Sequence, residues 1–200
     1  MISQIITVIL IFLASYLLGS IPFGLIAGYF YKVDIRKKGS GNIGATNVLR
    51  ILGAFPAAIV FSADMLKGTA SVLLAIHYIH EPWINISAGI CALIGHSFSI
   101  FLKGKGGKGA ATGLGIILGL APNLFLYTLL IFIGILATSK YVSLSTLASA
   151  SSLLFLMIIT QKPLPYSLIS GLGAVIIFIR HLSNIQRLLA GTEAKIGEKA

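Results

Sequence analysis

The residues best suited to chemistry fall in two short polar loops. The first reads Gly39-Ser-Gly-Asn-Ile-Gly-Ala-Thr-Asn47, with Arg50 one helical turn beyond it. Its glycines permit positive φ angles, so successive N–H groups can converge on one anion. Thr46 or Asn47 could cap a helix running on to Arg50, and a helix N-terminus favours anions. Ser40, Asn42 and Thr46 add donors, and Arg50 can grip a phosphate with two. The alternative reading of such a loop is a flexible, soluble connector.

The second loop reads Lys103-Gly-Lys-Gly-Gly-Lys-Gly109, followed by Ala110-Ala-Thr112 and an apolar stretch. Gly106, Gly107 and Gly109 open the backbone at a helix start, and Lys108 adds a point charge. This is again a phosphate cradle. It is not a Walker A motif: Gly104 and Gly109 have the spacing, but Ala110 stands where the lysine must be, and Lys108 would need glycine at Leu102. An NTPase is therefore not expected. A basic loop that merely sets membrane topology is the competing reading.

Other polar residues sit within or beside apolar runs. Asp64 and Lys67, three apart, share a helix face and can pair. His96 and His181 fall at ends of apolar runs, where either could orient a substrate or act as a base. Ser143 and Asn184 join them at the same membrane face. The four histidines are scattered without a cysteine or carboxylate set, so no metal site is expected. Asp34, Asp64, Glu81, Glu193 and Glu198 are the only carboxylates, and no Ser-His-Asp set is evident. The His-x-x-x-x-Asp pattern of CoA- and carrier-protein-dependent glycerolipid acyltransferases is missing, since Phe101 follows His96 and Gln186 follows His181 at that spacing.

The elements that position these residues must lie in a membrane. Of the 200 residues, 56% are apolar and 10% charged, too little polar surface to cover a soluble domain. The mean hydropathy is +0.98. The formal charge of +10 suits anionic headgroups or anionic substrates. Nucleic acid is not expected as a partner, because no soluble basic domain exists to carry it. Cys91, the single cysteine, reads as a small buried apolar residue. Residues 1–18 lack a basic start and an Ala-x-Ala site, so they read as a retained first span rather than a signal peptide.

Apolar runs cover 2–31 (with Pro22 as a kink), 51–79, 83–102, 110–139, 141–160 and 164–179, followed by a polar tail. They are continuously apolar, which predicts helices rather than a barrel. The run 110–139 holds Pro122-Asn123 at its middle. Read as two short helices, it gives seven spans in a single membrane domain, N-terminus out and C-terminus in. Thirteen of the fifteen basic residues, Lys199 included, then face the cytoplasm, with Lys67 in the membrane and Lys162 outside. One long helix would send Lys140 and the basic tail outside, so seven spans are expected. The two helices would be short for a crossing and would need a thinned bilayer or protein cover.

Taken together, the first loop with Arg50, Gly95-His96, Lys105-Gly-Gly-Lys-Gly109 with Ala111-Thr112, and Arg180-His181 with Asn184-Ile185 and Arg187-Leu188 resemble the PlsY family. These are the bacterial acyl-phosphate:glycerol-3-phosphate acyltransferases. The resemblance runs from Leu18-Gly-Ser-Ile-Pro22 to Gly191-Thr-Glu193. Gly104, Ala110 and Ser99 depart from the family's usual Phe, Val and Pro, and none is an expected anion ligand.

The resemblance implies transfer of an acyl group from acyl phosphate to the 1-hydroxyl of sn-glycerol 3-phosphate, at the cytoplasmic face of the cell membrane, without metal, CoA or other cofactor. It implies Ser40, Arg50, Lys108, His181 and Asn184 as the catalytic set. Lys108, Arg50 and Ser40 would bind phosphate, the backbone of 106–109 would hold acyl phosphate, and Asn184 and Ser143 would fix glycerol phosphate, with His181 orienting it. Asn42, Thr46, Asn47, His96, Gly106, Gly107 and Gly109 complete the expected substrate contacts, and the acyl tail would lie in membrane lipid between helices. The rival readings are a small anion transporter, disfavoured by the absence of a repeat and of midplane breaks, and a lipid-binding protein without turnover.

Overall fold

The computed structural model describes residues 2–197. Glu198 and Lys199, counted above among the carboxylates and the cytoplasmic cations, lie outside them. The described chain is all-helical: α1 (Ile2–Ser20), α2 (Phe23–Phe30), α3 (Ala45–Leu52), α4 (Ala54–Tyr78), α5 (Pro82–Ser97), α6 (Ala110–Leu120), α7 (Pro122–Ser139), α8 (Val142–Ile159), α9 (Leu164–Arg180) and α10 (Leu182–Leu189). Short 3-10 turns at Ile35–Lys37 and Ile100–Leu102 complete it.

Proline and glycine set the boundaries. Pro22 divides the first apolar run into α1 and α2, and the carbonyls stranded at that break are recovered by side chains. Ser99 Oγ donates to Ser20 O at 2.7 Å, and Lys67 Nζ donates to Ile21 O at 3.0 Å. Glu81 caps α5, accepting from the N–H groups of Trp83 and Ile84 at 2.8 and 3.2 Å, with Pro82 in the first turn. Among the described residues, five helical stretches have the length and hydropathy of a span, and the pair α9–α10, bent by 60°, supplies a sixth.

The run 110–139 is two helices broken at Ala121–Pro122, the division expected from the charge distribution. Only one of them is short, however: α7 has 18 residues and reaches crossing length, whereas α6 has 11. At 1.5 Å per residue, α6 covers roughly 16 Å, about half the hydrocarbon thickness. Protein covers it on several sides, since α6 packs along α4 and against α5 and α7. Gly68 of α4 lies against the Thr112 backbone, and Gly115 of α6 against the Met65 backbone, with no room for a Cβ at either. Thr69 Oγ1 donates across the same crossing to Gly115 O at 2.8 Å.

A second correction concerns the tail, expected to be merely polar. It contains α10, with apolar residues gathered on one face. Beyond α10 the chain folds back: Ile196 N–H donates to Lys140 O at 2.8 Å, at the junction of α7 and α8.

Candidate active site

The first loop is built around one side chain. Asn47 is 1% exposed, and its polar atoms are fully committed. Its Oδ1 accepts from the Ser40 N–H at 2.9 Å, while its Nδ2 faces the carbonyls of Ile35, Lys38 and Asn42 at 2.9, 3.2 and 2.8 Å. Gly39 and Gly41 adopt the left-handed backbone that lets the loop turn around this amide. The expected cap is corrected: Gly44 is the N-cap of α3, and neither Thr46 nor Asn47 caps it. Asn42 Oδ1 instead accepts from the Gly44 N–H at 2.9 Å. Asn47 is thus the brace of the loop, and its own polar atoms are not available to a ligand. The N–H groups of Ala45 and Thr46 bond no carbonyl among the described residues.

The second loop is held from outside. The N–H groups of Gly106 and Gly107 donate to the carbonyls of Ser97 and His96 at 3.1 and 2.9 Å. Arg180, at the end of α9, donates to the carbonyls of Gly106 and Gly107 at 2.9 and 3.1 Å, its guanidinium lying over the Phe98 ring. Both glycines have therefore spent their amides on the fold, which corrects the expectation that they bind an anion. The amides left over begin at Lys108. From Lys108 to Thr112 no N–H bonds a carbonyl among the described residues, and they form the N-terminus of α6.

The third part is the chain after α9. His181 is buried, and because a carbonyl only accepts, its Nδ1 donates to Ile177 O at 2.8 Å, leaving the Nε2 lone pair for another partner. Asn184 Oδ1 accepts from Lys108 Nζ. Asn184 Nδ2 donates to Glu193 Oε1 at 2.6 Å, Ser143 Oγ donates to the same oxygen at 2.8 Å, and Arg187 Nε donates to Oε2 at 2.7 Å. Arg50 reaches over from α3 to donate to Ala194 O at 3.3 Å.

These three parts close around one cavity of about 420 Å³. Ser40, Asn42, Thr46, Asn47, Arg50, His96, Lys108, Gly109, Ser143, His181 and Asn184 all line it, whereas Gly106 and Gly107 do not. His96 reaches the wall with little freedom. Its Nδ1 lies 3.5 Å from Asp64 Oδ1, and its Nε2 is turned against Gly107. Below the polar end the wall is apolar, with Phe61, Ile90, Leu93, Leu114, Phe132 and Leu153.

The polar end is strongly cationic. Burial pulls the Lys108 ammonium down to about 8, and the charges of Arg187, Arg180 and Arg50 act in the same direction, with Glu193 opposing them. Burial alone would raise the Glu193 carboxyl, but the hydrogen bonds from Asn184, Ser143 and Arg187 outweigh it and hold it below its ordinary value. Glu193 and Arg187 are the site residues that sequence reasoning left out. The available signal was a carboxylate six residues after an arginine, across the end of a helix.

Comparisons with known proteins point to one family. The family model described as glycerol-3-phosphate acyltransferase matches residues 9–191. The glycerol-3-phosphate acyltransferase of Synechococcus sp. (strain CC9902) is 45% identical over 192 residues, 96% of either chain. Glycerol-3-phosphate acyltransferase 2 of Moorella thermoacetica is 42% identical, covering 96% of this chain and 99% of its own. The crystal structure of PlsY (YgiH), an integral membrane glycerol 3-phosphate acyltransferase, superimposes in its glycerol 3-phosphate form with a TM-score of 0.92 at 35% identity, over 95% of this chain and 96% of the other. Its lysophosphatidic acid form gives 0.90 at 34%, over 95% of each. With a family model over residues 9–191 and relatives that align along 96% of the chain, the chain belongs to the glycerol-3-phosphate acyltransferase family of integral membrane proteins.

Proposed function

We propose that this protein transfers an acyl group from acyl phosphate to the 1-hydroxyl of sn-glycerol 3-phosphate. The products are 1-acyl-sn-glycerol 3-phosphate and inorganic phosphate, the first acylation of phospholipid synthesis, made at the cytoplasmic face of the cell membrane. One observation carries the reading: a single cavity joins a cationic mouth to an apolar channel between helices. Such a cavity suits a molecule with a phosphate at one end and a long acyl chain at the other. The two solved relatives are described as glycerol 3-phosphate and lysophosphatidic acid forms, which supports the acceptor and the product class.

Acyl phosphate is a mixed anhydride with a good leaving group, so the site need not supply a covalent nucleophile. Its task is to align hydroxyl with carbonyl and to stabilise charge. Arg50, Lys108 and Ser40 bind phosphate, and the free amides from Lys108 to Thr112, rather than those of Gly106 and Gly107, face the acyl phosphate. Ser143 and Asn184, held by Glu193, border the glycerol phosphate, and His181 Nε2 accepts a hydrogen bond from its hydroxyl. The hydroxyl oxygen bonds the carbonyl carbon, the carbonyl–phosphate bond breaks, and the proton leaves with the phosphate. The gathering of cations around Gly39–Gly44 and 103–109 favours a cytoplasmic mouth.

The test uses purified protein in liposomes with palmitoyl phosphate and glycerol 3-phosphate, following phosphate and lysophosphatidic acid together. Equal amounts of both are expected, with no product from palmitoyl-CoA. Well-folded protein that forms neither product, or that carries glycerol 3-phosphate into vesicles without a donor, overturns the reading in favour of transport.

A further inference from the structure

Three ionisable side chains lie buried together beneath the second loop. Lys67 Nζ is 2.7 Å from Asp64 Oδ1, and His96 Nδ1 is 3.5 Å from the same oxygen. Asp64, Lys67 and His96 are 3%, 4% and 5% exposed, far below what charged residues normally show. Cohesion alone does not explain them. A buried ion pair can often be replaced by apolar residues of similar volume with no loss of stability.

What the cluster touches is more informative. His96 Nε2 stands against Gly107 so closely that a methyl group there would collide with the ring. The carbonyls of His96 and Ser97 receive the N–H groups of Gly107 and Gly106. Lys108 and the free amides of α6 follow at once. On its other side the cluster reaches the first loop's foundation. Lys67 holds the Ile21 carbonyl at the break before α2 and lies over the Phe23 ring at 5.7 Å, and the next residue, Gly24, packs against the backbone of Ile43. Asp64 and His96 reach the cavity wall themselves; Lys67 does not line it.

We propose that Asp64 and Lys67 are positioning residues for acyl transfer, acting through His96 and the Gly106–Gly107 turn to fix where Lys108 and the amides after it stand over the cavity. The proposal rests on the acyl-transfer reading. A charged cluster suits this task better than apolar packing, because a carboxylate beside one ring nitrogen favours one direction of the ring, whereas dispersion contacts tolerate rotation. Misplacement by about 1 Å can cost roughly 100-fold in rate.

The experiment measures kcat and KM in liposomes for wild type, Asp64→Asn/Lys67→Gln, Gly107→Ala, and the three changes combined. The Asn–Gln pair removes both charges at once and leaves no orphaned ion. Each variant is expected to lose about 10- to 100-fold in kcat, with KM for glycerol 3-phosphate within about threefold of wild type. The combined variant is expected to fall little below the worse of the two, because both break one linkage. A normal kcat in the charge-free variant with only a lowered melting temperature overturns the proposal, as does a fully multiplicative loss on combination. If the charge-free variant does not fold, Gly107→Ala decides alone, and normal turnover there overturns it. A wild type without turnover overturns the functional reading and this proposal with it, whereas an active wild type with unaffected variants overturns this proposal only.

Discussion

The two glycine-rich loops at the cavity mouth are held in place by opposite means. The first carries its brace close by: every group Asn47 binds lies within twelve residues of it in sequence, and one amide side chain organises the turn. In the second, no side chain of the loop bonds the loop's own backbone among the described residues, and Lys108 reaches outward to Asn184 instead. The loop's shape is imposed by carbonyls of α5 and by the Arg180 fork from α9, more than seventy residues away in sequence. A loop braced locally can form whenever its segment is helical at one end. A loop braced from afar exists only once α5, α6 and α9 have assembled.

The largest expected effect tests what the loops share. Replacing the cation of either, by Arg50→Ala or Lys108→Ala, is expected to lower turnover by about 100- to 1,000-fold, the range for losing a donor aimed at developing charge. The melting temperature should hold for Lys108→Ala, because that change removes a cation crowded by Arg187, Arg180 and Arg50. Activity and thermal unfolding measured on one preparation check both.

Next comes the brace of the first loop. Asn47→Ala strands the Ser40 amide and three carbonyls, and is expected to cost about 1–3 kcal/mol in stability, as read from denaturant unfolding. Turnover should fall with it. The counterpart in the second loop is Arg180→Lys. A lysine keeps the charge but cannot bridge two adjacent carbonyls with a planar fork. About tenfold loss of kcat with little change in stability would sharpen the contrast between a local brace and a distant one. Equal losses of stability in both variants would break it.

The smallest effect is a titration. Lys108 is charged below about 8 and neutral above it, against an ordinary value near 10.5. The kcat/KM for glycerol 3-phosphate should therefore fall as pH rises through about 8, and Lys108→Arg should push that limb beyond the measured range. The sign for stability is opposite. The folded state disfavours the ammonium, so stability from this group grows as pH rises between about 8 and 10.5. A rate that falls while the protein becomes no less stable would separate ligand binding from unfolding.

Much of this was legible in the chain itself. Low charge and long apolar runs dictate membrane helices, because no water is available to pair an exposed backbone. The break at Pro122 was expected from Pro122-Asn123 and the distribution of lysines and arginines, and Pro22 marks the other break directly. Eleven of the thirteen expected site residues do line one cavity, since glycine-rich loops, arginine and lysine beside helix starts have few other uses at a membrane face. What the chain alone left open depended on who bonds whom. Gly106 and Gly107 read as anion donors until the carbonyls of His96 and Ser97 are seen to take their amides. Asn47 read as a cap or ligand until its four partners fill it. Glu193 has only a weak local signal, its spacing from Arg187 and Asn184, and its bond to Ser143 on α8 is fifty residues away in sequence. Composition and periodicity act through solvent and backbone, which every residue meets locally. Hydrogen-bond assignment is a competition among groups far apart in sequence, and only the packed tertiary structure decides its outcome.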